Sequence, residues 1–130
     1  MSGKIALVTA ATRGLGLEIS KTLKKQGFQL ALMGRSERIY EVADELGCFG
    51  FRGDLTNEED IKSFVKSSVD YYGRIDVLIN NTGHAPTGEL LNLTDNQWME
   101  GFEILFLNVV RLTREAVPHM TNGGVVVNVS

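Results

Sequence analysis

Three observations predict a doubly wound α/β fold, with a parallel sheet of order 3-2-1-4-5 and helices on both faces. Short, nearly continuous apolar runs recur along the chain, ending with Val125-Val126-Val127. Stretches with apolar residues at helical spacing separate them. A small-residue turn, Thr9-Ala10-Ala11-Thr12-Arg13-Gly14-Leu15-Gly16, joins the first apolar run to the first helical pattern. Continuous apolar strands belong to a sheet covered on both faces, and right-handed crossovers then restrict the topology.

The elements follow in order. Strand one is expected over 4–9. The next helix places Leu15, Ile19 and Leu23 on one face and Glu18, Lys21, Lys24 and Lys25 on the other, and Gly27 stops it. Strand two covers 29–33. A short helix after Ser36 carries Ile39, Val42, Ala43 and Leu46 at core spacing and ends at Gly47. Strand three covers 48–52 and stops at Gly53-Asp54.

Thr56-Asn57-Glu58-Glu59 reads as a capping box, with Thr56 and Glu59 satisfying each other's backbone donors. The third long helix buries Ile61, Phe64, Val65, Val69 and Tyr72 and stops at Gly73. Strand four covers 75–80, and a loop follows over 81–93. A second capping box, Thr94-Asp95-Asn96-Gln97, opens the longest helix, whose core stripe is expected at Trp98, Phe102, Leu105, Val109 and Leu112. Met99, Ile104, Phe106, Leu107 and Val110 make that helix apolar nearly all round, which fits burial on a second side, as in a subunit contact. Pro118 marks its end or a kink, and strand five covers 125–129.

Composition sets the class. The 130 residues, 43% hydrophobic and 22% charged, fit one globular domain over 1–130. A net charge of −3 gives no general attraction to nucleic acid or anionic membrane. Cys48 is the only cysteine, so a reducing, cytoplasmic setting and a small core role for its thiol are expected. No apolar stretch approaches membrane-spanning length, and the first strand begins too early to leave room for a signal peptide. His84 and His119 stand apart, with no metal-ligand pattern around either. An uncovered strand five is an edge that invites pairing, so a longer parent chain or a covering partner is expected.

In this topology a ligand binds outside the C-terminal ends of the strands where the strand order reverses, here between strands one and four. The loops 9–16 and Asn80-Asn81-Thr82-Gly83 flank that crevice. The glycines and the helix N-terminus suit a phosphate, because backbone N–H groups converge there and no Cβ blocks approach. No Gly-Lys-Ser/Thr follows, so the turn is not a triphosphate P-loop. His84, in the crevice loop, reads as an ordinary loop histidine or a substrate-lining group.

These motifs together resemble the short-chain dehydrogenases/reductases. The family's Thr-Gly-x-x-x-Gly-x-Gly stands here as Thr9-Ala10-Ala11-Thr12-Arg13-Gly14-Leu15-Gly16, and its Asn-Asn-Ala-Gly as Asn80-Asn81-Thr82-Gly83. Its adenine-contacting Asp after strand three matches Asp54, followed by Leu55, and its helix Asn matches Asn108 ahead of Pro118-His119-Met120. The resemblance covers the whole chain. It implies a Rossmann-type domain, C-terminally incomplete, binding a dinucleotide through Thr9, Ala11, Thr12, Arg13, Gly14, Leu15, Gly16, Arg35, Ser36, Asp54, Leu55, Asn80, Asn81, Thr82 and Gly83. Of the family's catalytic set it supplies Asn108 alone. The family's Tyr-x-x-x-Lys is absent, since Asp44, Ile75 and Asp76 stand four residues after Tyr40, Tyr71 and Tyr72. Ser130 matches the residue before the family's catalytic Ser. Ala10 replaces the motif's first glycine and fits if its φ is negative.

Strand two ends in Gly34-Arg35-Ser36 with no acid, so Arg35 and Arg13 favour NADP(H) over NAD(H). The resemblance implies hydride transfer between the nicotinamide and a ketone or secondary alcohol, with a 3-oxoacyl substrate as the default. It also implies a homodimer or tetramer through the helix beginning near Thr94. The rival readings are a non-catalytic dinucleotide-binding or interaction module, and another doubly wound binder such as a methyltransferase.

Overall fold

The computed structural model describes residues 3–83 and 87–129. The strands are β1 (Ile5–Val8), β2 (Gln29–Gly34), β3 (Phe49–Arg52), β4 (Val77–Asn80) and β5 (Val125–Asn128). The helices are α1 (Gly14–Lys25), α2 (Arg38–Leu46), α3 (Glu58–Tyr72), α4 (Asp95–Phe102) and α5 (Asn108–Ala116). The described strands form one parallel sheet in the order β3-β2-β1-β4-β5, the topology expected.

Alternation along the central strands divides the core between the two faces. Ile5, Leu7, Ala31 and Met33 pack with Ile61, Phe64 and Val65 of α3 and Leu112 and Ala116 of α5. Ala6, Val8, Leu30 and Leu32 pack on the other side with Ile39 and Val42 of α2, and with the half-buried Leu17, Ile19 and Leu23 of α1. Each large apolar side chain buried in these layers contributes about 1.5–3 kcal/mol of transfer free energy. Glycines terminate the helices as expected: Gly47 and Gly73 have φ +63° and +91°, and Gly27 follows α1 at φ +93°.

At the N-terminal end of the sheet, Asp76 staples β1 to the approach of β4. Its Oδ2 accepts from the Ile5 backbone N at 2.8 Å and pairs with Arg74 Nε at 2.9 Å. Burial raises the Asp76 pKa, but the Ile5 N–H bond, Arg74 and Lys4 outweigh it and hold the carboxyl below the ordinary value.

Four expectations need correction. Leu15 is exposed, because the buried residues of α1 are Gly16 and Ser20, and Gly16 is the one set against Ala10 and Asn81 of the two loops. The cap of α3 is Asn57, whose side chain accepts from the Asp60 N at 3.1 Å; Thr56 instead donates to Asp54. The Thr94–Gln97 capping box is present in full, but α4 does not continue unbroken. Glu103–Leu107 forms a π-turn between α4 and α5.

That extra residue rotates the following helix by about 100° relative to an α-helical phase. The regular stripe therefore breaks: Leu112 is buried and Val109 half-buried, whereas Trp98, Phe102 and Leu105 are 52%, 50% and 57% exposed. The face that α5 buries is Asn108, Leu112 and Ala116. Fourth, Ala10 has φ +50°, not the negative value expected. A left-handed alanine costs about 1–2 kcal/mol, so the loop holds a conformation that glycine would adopt freely. Pro118 lies in a 3-10 turn, Val117–His119, at the end of α5. Among the described residues, no helix is long and apolar enough to cross a membrane.

Candidate functional site

The two loops meet at the switch point between β1 and β4. Thr9 is fully buried and locks them: its Oγ1 donates to the Asn81 carbonyl at 2.6 Å and accepts from the Asn81 N at 3.0 Å. The Asn81 amide donates to the Ala10 carbonyl at 3.3 Å. Gly16 lies beneath this contact, where a Cβ would fall on the Ala10 carbonyl oxygen and the Asn81 amide nitrogen. Thr9, Ala10, Gly16 and Asn81 are therefore one interlocked unit, and its fixed geometry accounts for the left-handed Ala10.

Arg13 occupies the cap position of α1 with extended backbone, and its side chain makes no capping bond. No acid stands in the first turn of α1. Gly14 has φ +59°, which turns the chain into the helix. The backbone N–H groups opening α1 are left to a ligand or to solvent, and the helix dipole favours an anion there. A pyrophosphate fits this cradle.

Ala11 is buried, and its N donates to the Met33 carbonyl at 3.1 Å. A Cβ on Gly34 would collide with the Thr12 Oγ1. Thr12–Arg13 and Gly34–Arg35 are thus adjacent where β2 ends. Arg13, Arg35 and Ser36 are exposed, and neither arginine makes an ion pair among the described residues. Two further arginines, which sequence reasoning passed over, tie this corner together. Arg38 Nε donates to the Thr12 carbonyl at 3.4 Å, and Arg52 Nε to the Arg35 carbonyl at 3.3 Å. Their signal in the sequence is only their place at the start of α2 and the end of β3.

Asp54 Oδ1 accepts from the Thr56 N at 2.8 Å and the Thr56 hydroxyl at 2.7 Å, which fixes the turn after β3. Leu55 is half-buried against the core. Asn80 is buried, and its amide donates to Asn128 Oδ1 at 2.8 Å, which sequence reasoning also missed. Thr82 is half-buried and Gly83 exposed at the mouth of the crevice. His84 and Ser130 lie outside the described residues.

Asn108 begins α5 directly after the π-turn, is fully buried, and has no hydrogen-bond partner for either side-chain atom among the described residues. It does not bond the helix backbone. Cys48 packs at the edge of the core near α2. Burial pushes its thiol to about 11, with Lys24 opposing, so it carries no thiolate chemistry at neutral pH.

The sheet order, with a glycine turn facing an Asn-Asn loop across the reversal, defines the Rossmann-type class of α/β protein. Residues 4–130 match the family model for the short chain dehydrogenases, and the chain belongs to that family of oxidoreductases. It is 36% identical over 129 residues to a Streptomyces virginiae protein assigned by name as the ketoacyl reductase of a monensin polyketide synthase, covering 95% of this chain and 48% of that protein. It is 31% identical to the L-fucose dehydrogenase of Oryctolagus cuniculus, covering 99% of this chain and 47% of the relative. The chain thus spans about half the length of the relatives it matches.

Among solved structures, L-sorbose reductase from Gluconobacter frateurii, complexed with NADPH and L-sorbose, aligns with a TM-score of 0.94 at 30% identity. That alignment covers 98% of this chain and 52% of the reductase. An actinorhodin polyketide ketoreductase with NADPH aligns at 0.90 and 31% identity over 96% of this chain and 52% of its own. A 7α-hydroxysteroid dehydrogenase complexed with NADH aligns at 0.93 and 25% identity over 99% of this chain and 53% of its own.

Proposed function

We propose that this chain supplies the dinucleotide-binding part of an NADP(H)-dependent oxidoreductase acting between a ketone and a secondary alcohol. The bound dinucleotide supplies or accepts the hydride. In this reading the backbone of Gly14, Leu15 and Gly16 holds the pyrophosphate, with Thr9, Ala11 and Thr12 fixing the turn. Arg13 and Arg35 take the 2′-phosphate beside the Ser36 hydroxyl. Asp54 and Leu55 flank the adenine, and Asn80, Asn81, Thr82 and Gly83 line the ribose and nicotinamide side. Asn108 offers a buried amide behind that side and is the only catalytic-set residue present.

The observation that carries the cofactor reading is the corner where Gly34–Arg35 adjoins Thr12–Arg13 with no acid at the end of β2. An enzyme that uses NAD places an acid there for the ribose 2′-hydroxyl. Two guanidinium forks without ion-pair partners among the described residues suit a phosphate instead. Titration of the purified chain with NADPH and NADH, followed by nicotinamide fluorescence, tests it. Binding of NADPH about tenfold tighter or more is expected, a difference of roughly 1.4 kcal/mol. Equal affinity, or tighter NADH, overturns the reading. Arg35→Asp should reverse the order.

A 3-oxoacyl substrate is the class we favour, because two of the similar proteins carry the names of a ketoacyl reductase and a polyketide ketoreductase. Assembly as a homodimer or tetramer through α4 belongs to the same proposal, and the exposed apolar side of that helix supports it. These 130 residues are expected to bind the dinucleotide without turning it over, since no tyrosine among them has a lysine four residues on. Oxidation of NADPH by the purified chain with a panel of ketones would contradict this.

A further inference from the structure

We infer that Arg52, at the end of β3, is a positioning residue that sets the preference for the 2′-phosphorylated dinucleotide by holding the turn between β2 and α2 and neutralising its only acid. The inference rests on the reading of the crevice given above. Glu37 is the sole acidic residue in the five-residue stretch Gly34-Arg35-Ser36-Glu37-Arg38. Arg52 Nη1 pairs with Glu37 Oε1 at 3.4 Å, while its Nε holds the Arg35 carbonyl at 3.3 Å. The backbone strengthens this grip: the Gly53 N donates to the Gly34 carbonyl at 2.9 Å, and the Arg52 N to the Tyr40 hydroxyl at 3.3 Å.

Charge accounting at this corner gives Arg52 its effect. With Glu37 engaged by Arg52, Arg13 and Arg35 keep their charges uncompensated among the described residues. Without Arg52, a carboxylate two residues from Arg35 is released. It then either pairs with Arg35 or opposes the incoming phosphate. The two partners are 51% and 81% exposed, so their ion pair adds little to folding stability. Its influence falls on an added dianion instead. NADH, which lacks that dianion, is a control that a purely structural role would not spare.

The test titrates the wild-type chain, Arg52→Gln, Glu37→Gln and the double variant with NADPH and with NADH. Arg52→Gln is expected to raise the NADPH Kd about three- to tenfold, the scale of one solvent-screened charge a few ångströms from a dianion, and to change the NADH Kd less than about twofold. Adding Glu37→Gln to it should recover most of the loss. Glu37→Gln alone should tighten NADPH and leave NADH unchanged. Equal weakening of both dinucleotides, no change in Arg52→Gln, or no recovery in the double variant overturns the inference while wild-type discrimination stands. A wild-type chain that does not prefer NADPH overturns the cofactor reading and this inference together.

Discussion

At the scale of single residues, the left-handed Ala10 and the buried Asp76 carry the most specific expectations. Ala10→Gly removes the steric cost of φ +50° but adds chain entropy to the unfolded state. The net is a stabilisation of about 0.5–1 kcal/mol, readable in chemical denaturation. Asp76 works in the opposite direction when removed. Asp76→Ala leaves the Ile5 N–H and Arg74 without their acceptor and should cost about 2–3 kcal/mol at neutral pH. Because the folded-state pKa is lowered, this stabilisation is complete above the unfolded carboxyl value of about 3.9 and is lost as pH falls through the lower folded value. Denaturation midpoints of wild type and variant should therefore converge in acid. Cys48 should resist alkylation at pH 8 in the folded chain and react on unfolding.

At the scale of elements, caps and phase decide the outcome. Asn57→Ala should destabilise the chain by about 1 kcal/mol, and Thr56→Ala by less, because the Asn57 side chain holds the Asp60 N–H. Equal losses in urea titration would refute this assignment of the cap. Much of the element plan is legible in the sequence. Each strand appears as an apolar run, and Gly27, Gly47 and Gly73 mark helix ends because a residue without a Cβ takes the left-handed turn cheaply. What is not legible is tertiary. Periodicity identifies an apolar face but not what covers it, so Trp98, Phe102 and Leu105 read as core and stand exposed. A π-turn leaves no compositional mark. The switch-point loops are readable as a pair from topology, whereas the Arg52–Glu37 pairing joins residues 15 apart that no local pattern connects.

At the scale of the whole chain, apolar side chains cluster on the outside in two places among the described residues. One is the side of α4 and the π-turn bearing Trp98, Phe102, Leu105 and Phe106; the other is β5, where Val125 and Val127 are 55% and 41% exposed. Contiguous patches of this kind associate, and a bare strand edge templates further pairing. Val125→Lys together with Val127→Lys, on one face of the strand, should lower the aggregation of this chain, measured by light scattering against concentration. Phe102→Glu with Leu105→Glu should shift a defined oligomer toward monomer in sedimentation. No effect of the second pair would separate assembly from α4.

The bond from Ile5 to Asp76 spans 71 residues of chain. All the other β1 contacts with the region of β4 close a loop of similar size, whereas β1–β2 and β2–β3 register within far shorter stretches. Closing the longer loop carries the larger entropic cost, and non-local pairing slows folding. The half-sheet β3-β2-β1 can therefore form early, with β4 docking onto it late. The crevice lies on that late seam. A dinucleotide bridging it would act as a clasp on the last step of folding, slowing the first step of unfolding more than its affinity for any single loop would suggest.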